Sequence, residues 1–153
     1  MKRNLNTCSK ILLIFTFAVF VACQGNVEPE SEQVRKHENG TYRGVFIDKD
    51  AIQVNVEFTL TEGVISDAGF RHLRRDDDYH LETETEPYRS VVKQYKEALG
   101  YMVGKDVEEH LADLYNPENV VTTQVDGYTS ATIRAQKVIS AIRDGLNRGV
   151  YSY

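Results

Sequence analysis

The chain has 153 residues, of which 41% are hydrophobic and 27% are charged, a balance typical of a soluble globular protein with room for one domain. Its formal net charge is -5, and the absence of a basic, aromatic-rich stretch or a nucleic-acid motif excludes a nucleic-acid-binding function. The four histidines have neither cysteine partners nor helical pairing, so no metal site is predicted, and no catalytic residues stand out.

The first residues have the pattern of an export signal. Basic side chains precede the apolar residues 11–22, which are too few to span a bilayer but typical of a signal-peptide core. Residues 20–23, Phe-Val-Ala-Cys, resemble a bacterial lipobox, which implies that Cys23 is lipidated and becomes the mature N-terminus. We therefore predict a lipoprotein signal peptide over residues 1–22. The alternative is an apolar anchor that is never cleaved.

Beyond the signal, the chain divides into a tether and a domain. Residues 23–39 are polar, contain Pro29 and show no periodicity, which predicts a flexible tether attached to the lipid anchor. The folded domain is expected over residues 40–153. The protein would then lie on the extracytoplasmic side, anchored to the cell membrane, in the periplasm or on the cell surface.

The first part of the domain has the pattern of strands. Residues 40–47, 51–60 and 64–73 predict an antiparallel meander, in which the second strand alternates strictly between apolar and polar side chains. Glu62 and Gly63 form the hairpin turn between the second and third strands. The highly charged residues 74–86 are expected to form a surface loop.

The second part has mainly helical patterns. Pro87 opens a helix, a shorter helix is predicted over residues 106–115, and residues 119–125 are expected to return to the sheet as a strand. The last helix, over residues 131–147, has one apolar face that can pack on the sheet. We therefore predict an α+β fold, with a small, mostly antiparallel sheet and helices packed on one side.

The segment before the last helix, residues 126–132, is rich in aliphatic hydroxyl groups. The unpaired N–H groups and partial positive charge of a helix N-terminus stabilise a phosphate group. With a helix that begins at Ala131, either Thr129 or Ser130 serves as N-cap and Thr132 lies in the first turn. The pattern favours a phosphate ester. The plain alternative is a strand-loop-helix connection that uses one hydroxyl as a cap.

These residues resemble the flavinylation motif of the FMN-binding domain family, which includes the C and G subunits of the sodium-pumping NADH:quinone reductase and Rnf complexes and small extracytoplasmic lipoproteins. That motif has Asp, two variable residues, Ser or Thr, a small residue that is usually Gly, then Ala and Thr. Residues 40–44 and 62–68 also resemble the opening of this domain. The cofactor-binding segment predicted by the resemblance contains Asp126, Gly127, Thr129, Ser130, Ala131 and Thr132.

The resemblance implies a covalent flavoprotein. In the family, a flavin transferase takes FMN from FAD in a magnesium-dependent reaction and joins its phosphate to the last threonine of the motif, here Thr132. It further implies an electron carrier rather than a stand-alone enzyme, with a redox donor in the membrane, a redox acceptor, and the membrane itself, through Cys23, as partners. Tyr42 and Tyr128 are candidates for an aromatic wall beside the flavin, or else ordinary packing residues.

Two alternatives stay open. The domain can keep this fold but bind FMN without the covalent link, or no flavin at all, since Ser130 stands where Gly is commoner. The protein can also be a surface lipoprotein without redox activity, which uses the same fold as a ligand-binding or adhesion module.

Overall fold

The computed structural model describes residues 37–49, 51–125 and 128–152, with only the backbone described for residues 128–130. The predicted signal peptide, Cys23, Asp126 and Gly127 lie outside the described residues. Within the described ranges, no helix combines the length and the apolar character needed to cross a membrane.

An antiparallel sheet forms one layer of the domain. Its strands pair in chain order and are β1 (Gly40–Asp48), β2 (Ile52–Thr61), β3 (Val64–Arg75) and β4 (Tyr79–His80). Along β2, buried side chains alternate with partly exposed ones, because a strand turns successive side chains to opposite faces. Glu62 and Gly63 have φ values of 57° and 82° between β2 and β3, and positive φ at both positions is typical of a tight hairpin turn.

Helices form the second layer. They are α1 (Tyr88–Tyr101), α2 (Val107–His110), two 3-10 helices (Leu111–Tyr115 and Pro117–Asn119) and α3 (Tyr128–Arg148). The buried side chains of alternate β2 positions, such as Val56 and Phe58, form one core with those of α3, such as Val138 and Ile142. The predicted α+β class is confirmed.

Residues 74–86 were expected to form a loop, and this prediction is wrong for part of the stretch. β3 continues to Arg75, and β4 pairs with it, with His80 opposite Arg74. Tyr79 of β4 is only 4% exposed. Tyr79 is a single core residue between charged neighbours, and one buried residue is too few to produce a periodic pattern in the sequence.

Helix α3 and the C-terminal residues are bound to the free edge of β1. The backbones approach so closely at Gly44 that a Cβ atom there would lie 1.8 Å from the carbonyl oxygen of Ala141. The Val45 amide donates a hydrogen bond of 2.8 Å to the Asp144 carboxylate of α3. Near the other end of β1, the Tyr151 amide donates to the Thr41 carbonyl at 2.7 Å.

Candidate functional site

The predicted attachment residue, Thr132, lies in the second turn of α3. The helix begins at Tyr128, so Thr129 and Ser130 have helical backbone and the prediction that one of them is the N-cap is wrong. An N-cap residue must have non-helical dihedral angles. Ala131 is buried against the core, whereas Thr132 is partly buried. The partial positive charge of a helix is concentrated in its first turn. Thr132 is therefore less exposed to this charge than it would be in a helix that begins at Ala131.

The segment that leads to α3 is held by a glutamate of α1. Residues 119–125 were predicted to be a strand, but no strand forms there. Instead, the amides of Thr122 and Thr123 donate to Oε2 of Glu97 at 2.9 and 3.0 Å, and their hydroxyls donate to Oε1 at 3.0 and 2.7 Å. A carboxylate thus satisfies the two amides that a neighbouring strand would otherwise bind.

Gln94 joins the same segment to both long helices. Its side chain is 2% exposed, and Nε2 donates to the Thr123 carbonyl at 2.7 Å. Its Oε1 accepts a hydrogen bond from the Arg134 guanidinium of α3. The amide therefore uses both its donor and its acceptor inside the protein, as a buried polar group must. This connection positions the chain directly before the predicted flavin motif.

The environment of Glu97 lowers its pKa. Burial favours the protonated form, but the hydrogen bonds from Thr123 and Thr122 to the carboxylate outweigh burial and hold the pKa below the ordinary value of 4.5. A carboxyl group whose pKa is lower in the folded state stabilises the fold above the ordinary pKa. That contribution is lost as the pH falls through the lowered value.

We expect Glu97→Gln to lower the free energy of unfolding by about 1–2 kcal/mol at pH 7, because charge-assisted hydrogen bonds become neutral ones. The difference from the parent should begin to shrink as the pH falls below 4.5 and should be lost as the pH falls through the lowered pKa of Glu97, where the folded parent becomes protonated at this residue. Urea unfolding followed by circular dichroism between pH 3 and pH 7 measures both effects, with the exposed Glu118→Gln as the control. A difference that is constant over this range would contradict the assignment of the charge.

A cleft of about 270 Å³ lies beside the N-terminal half of α3. The ends of β2 and β3, the beginning of α1 and Val125 complete its walls. Thr132 does not line the cleft, although its neighbours Ile133 and Arg134 do. The cationic and tyrosine side chains that line the cleft are Arg75, Arg134, Lys137, Tyr79, Tyr88 and Tyr95.

The positive groups of the cleft affect one another. Burial, followed by the nearby Arg75 and Arg134 charges, lowers the pKa of Lys137, while Asp48 acts in the opposite direction. Burial also raises the pKa of the Tyr79 and Tyr95 hydroxyls, so both remain neutral near pH 7. The cleft therefore combines phenol groups with three cationic side chains.

Tyr42 is a packing residue. It is 1% exposed, its ring stacks on Phe58 with the centroids 5.4 Å apart, and its hydroxyl donates to the Glu38 carbonyl at 2.6 Å. At the same end of β1, a Cβ on Gly40 would contact Val150, which follows the C-terminal end of α3. Tyr42 thus lies near the end of α3 opposite Thr132 and cannot form a wall beside it. The side chain of Tyr128, the other aromatic candidate, lies outside the described residues.

The cleft is the feature that sequence reasoning missed. Its three cations come from β3 and α3, and its tyrosines from β4 and α1, so no short motif contains them. One signal was present, since Arg134 and Lys137 are two basic residues three positions apart and therefore lie on the same side of the last helix. Among the described residues, no three His, Cys, Asp or Glu side chains are grouped so that they could hold a metal ion.

Comparison with known proteins does not assign the chain to a family. No family model matches it, and no curated protein is significantly similar to it. The relation to FMN-binding domains is therefore a resemblance carried by the motif at residues 126–132 and by the strand sequences at residues 40–44 and 62–68.

Proposed function

We propose that the protein is an extracytoplasmic lipoprotein that carries FMN, joined through its phosphate to Thr132, and transfers electrons. The observation that carries this proposal is the motif formed by Asp126, Thr129, Ala131 and Thr132, of which the last three belong to the first two turns of a long helix. The α+β fold is the second support. It has the antiparallel strands and the final helix that the sequence patterns predict.

The residues around Thr132 fit a phosphate ester. Thr132 is partly buried, and its neighbours Ala131 and Ala135 have small side chains. Arg134 and Lys137 add positive charge to the same half of α3.

The attachment reaction needs FAD as its only co-substrate. The Thr132 hydroxyl attacks the phosphorus atom of the FMN half, the pyrophosphate bond breaks, AMP leaves, and the hydroxyl proton is released. FMN, once attached, supplies one- or two-electron chemistry, while this chain determines where the cofactor lies. Glu97 and Gln94 bind Thr123, three residues before the motif.

The test is the intact mass of the protein after co-expression with a bacterial flavin transferase. We expect a gain of one FMN less one water, and peptide mapping should place it on the peptide that contains Thr132. The same protein expressed without the transferase is the control and should lack the adduct. No adduct and no bound flavin, despite a transferase that modifies a known substrate, would contradict the proposal.

The second candidate is a ligand-binding module without redox activity. It is favoured by the cleft, whose lining does not include Thr132 among the described residues. This candidate predicts a colourless protein even when an active transferase is present, whereas the flavoprotein should be yellow. The mass measurement therefore separates the two functions directly.

A further inference from the structure

The edge of β3 that faces away from β2 is only partly covered. At one end of the strand, β4 pairs with Arg74 and Arg75, and at the other end the amide and carbonyl of Ile65 bond to the backbone of residues 104–105. Between these contacts, residues 67–71 have no backbone partner on their outer side within the described part of the chain. An open strand edge of this kind is a template for pairing with another strand.

The backbone groups at this edge belong to Ala68 and Phe70. Successive residues of an antiparallel strand direct their amide and carbonyl groups to opposite sides. The Val45 amide of β1 bonds to α3 and thus points away from β2. By the same alternation, Val56 and Phe58 of β2 bond to β1. Ala68 and Phe70 lie opposite these two residues, so their own amide and carbonyl groups point to the open edge.

The backbone of residues 67–71 can pair with a second copy of itself. When two copies run antiparallel about a twofold axis at Gly69, Ala68 of each copy lies opposite Phe70 of the other. These are the residues whose backbone groups point to the open edge, so the two strands form about four hydrogen bonds with each other. Gly69 lies on the axis and has no side chain that would keep the strands apart.

The charges on the outer face of the sheet fit the same twofold pairing. Arg71 donates to Glu57 of β2 at 2.9 Å, and 47% of the Arg71 side chain remains exposed. Asp67 is also exposed and lies opposite Thr59, which shares the outer face of β2 with Glu57. With Gly69 on the axis, Asp67 of each copy lies opposite Arg71 of the other. Opposite charges at such positions stabilise a strand pair, and like charges destabilise it.

An apolar groove lies beside the same edge on the inner face of the sheet. It has a volume of about 330 Å³, and its walls include Ala68 and Phe70 of β3, Leu81 and Leu99 of α1. Adjacent strands are about 4.8 Å apart, so Phe70 of a second copy would lie next to Ala68 at the mouth of this groove. The pairing therefore removes apolar surface from water in both copies.

We propose that the open edge of β3 is the interface of a homodimer, in which residues 67–71 of two copies pair antiparallel about Gly69 and join the two sheets. A second copy is the occupant because one register matches the backbone groups, the charges and the apolar surface together. The interface lies on β3, whereas Thr132 lies on α3. The dimer therefore does not depend on the attachment of FMN.

The structure of the sheet also limits this assembly. Shifts in the pairing of β2 with β3, at Asn55–Val56 and at Thr59–Leu60, interrupt the regular ladder on both sides of the segment. The new strand pair is therefore short, which predicts a weak dimer. At the opposite edge of the sheet, α3 and the C-terminal residues bind to β1. The assembly should therefore end at two copies.

Sedimentation velocity of the full chain tests the dimer, in a mild detergent that keeps the apolar residues 11–22 in solution. We expect an equilibrium between monomer and dimer, with a dissociation constant in the micromolar to millimolar range and no larger species. A chain that remains monomeric up to millimolar concentration would overturn the proposal, and the edge of β3 would then be open to a strand of a different protein.

Charge reversal identifies the surface. Asp67→Arg and Arg71→Asp each place like charges opposite one another at both ends of the strand pair, and each should weaken the dimer about tenfold or more. The double variant restores opposite charges and should dimerise like the parent. An equal mixture of the two single variants should form a heterodimer of similar affinity, because both of its charge pairs are again opposite.

Glu118→Arg is the matched control for net charge. It alters the charge of the chain as much as Asp67→Arg does, but Glu118 is an exposed residue of the second 3-10 helix, outside β3. This variant should not weaken the dimer. Unchanged association in the two single variants, or failure of both the double variant and the mixture to recover it, would overturn the proposal.

Hydrogen exchange tests the same interface without any substitution. The amides of Ala68 and Phe70 should exchange more slowly at high protein concentration than at low concentration, because the second copy protects them. The Ile65 amide already donates to the Lys105 carbonyl at 3.0 Å and should show no such dependence. Exchange of Ala68 and Phe70 that is independent of concentration while the protein dimerises would place the interface elsewhere and contradict the proposal.

Discussion

Thr132→Ala is expected to abolish the covalent flavin completely while the domain stays folded. The substitution removes the only atom through which the motif forms its phosphate ester, so no partial product is expected from the proposed reaction. Alanine has a higher helix propensity than threonine and leaves no large cavity at a partly buried position, so the free energy of unfolding should change by less than about 1 kcal/mol. Intact mass and flavin absorbance measure the first effect, and urea unfolding measures the second.

Two further variants make this result specific. Thr132→Ser keeps a hydroxyl at the same position and should retain at least part of the adduct. Ser140→Ala removes an exposed hydroxyl from the same helix, one that donates to the Gln136 carbonyl, and should leave the adduct unchanged. If Thr132→Ala still gained the mass of the adduct, the attachment would have to be reassigned to Thr129 or Ser130, which lie in the first turn of α3.

Gly44→Ala is expected to destabilise the domain by about 3 kcal/mol or more, a large part of the roughly 5–15 kcal/mol that separates folded from unfolded domains. The added Cβ would lie 1.8 Å from the Ala141 carbonyl oxygen and 2.6 Å from the Gly145 nitrogen. Both are backbone atoms, so no side-chain rotation relieves the overlap. Helix α3 would have to move away from β1 and would lose its contacts with the sheet. Urea unfolding gives the free-energy change.

Gly69→Ala is the matched control for this prediction. Gly69 also lies in a strand, and a Cβ built on it has no neighbouring atom within 4 Å. Its substitution should change the free energy of unfolding by no more than about 1 kcal/mol, because only the backbone preference of glycine is altered. An equal loss of stability in both variants would show that strand propensity, and not the approach of α3, is the cause.

The strands and the last helix could be predicted because their patterns are local. The alternation over residues 51–60 and the apolar face of the last helix can each be recognised from the spacing of apolar residues within a single strand or helix. Residues 119–125 were assigned wrongly because their β-branched side chains favour strands, whereas the hydrogen-bonding partner, Glu97, is 25 residues before Thr122. A hydrogen-bonding partner so far away in the sequence cannot be recognised from a local pattern.

The candidate site was predictable only in part for the same reason. The motif at residues 126–132 is contiguous and could be read directly from the sequence, although the helix begins three residues earlier than expected. The cleft depends on tertiary structure, which brings Arg75 of β3 next to Lys137 of α3. Their proximity follows from the packing of α3 on the sheet, which single-sequence patterns do not specify.

The hydrogen bonds that bind α3 and the C-terminal residues to β1 also affect how copies of the protein meet. An open strand edge offers amide and carbonyl groups to another chain and promotes edge-to-edge aggregation. Here the Val45 amide is occupied by Asp144 and the Thr41 carbonyl by the Tyr151 amide. A second copy of the domain would find these groups of β1 already engaged and could not extend the sheet through them.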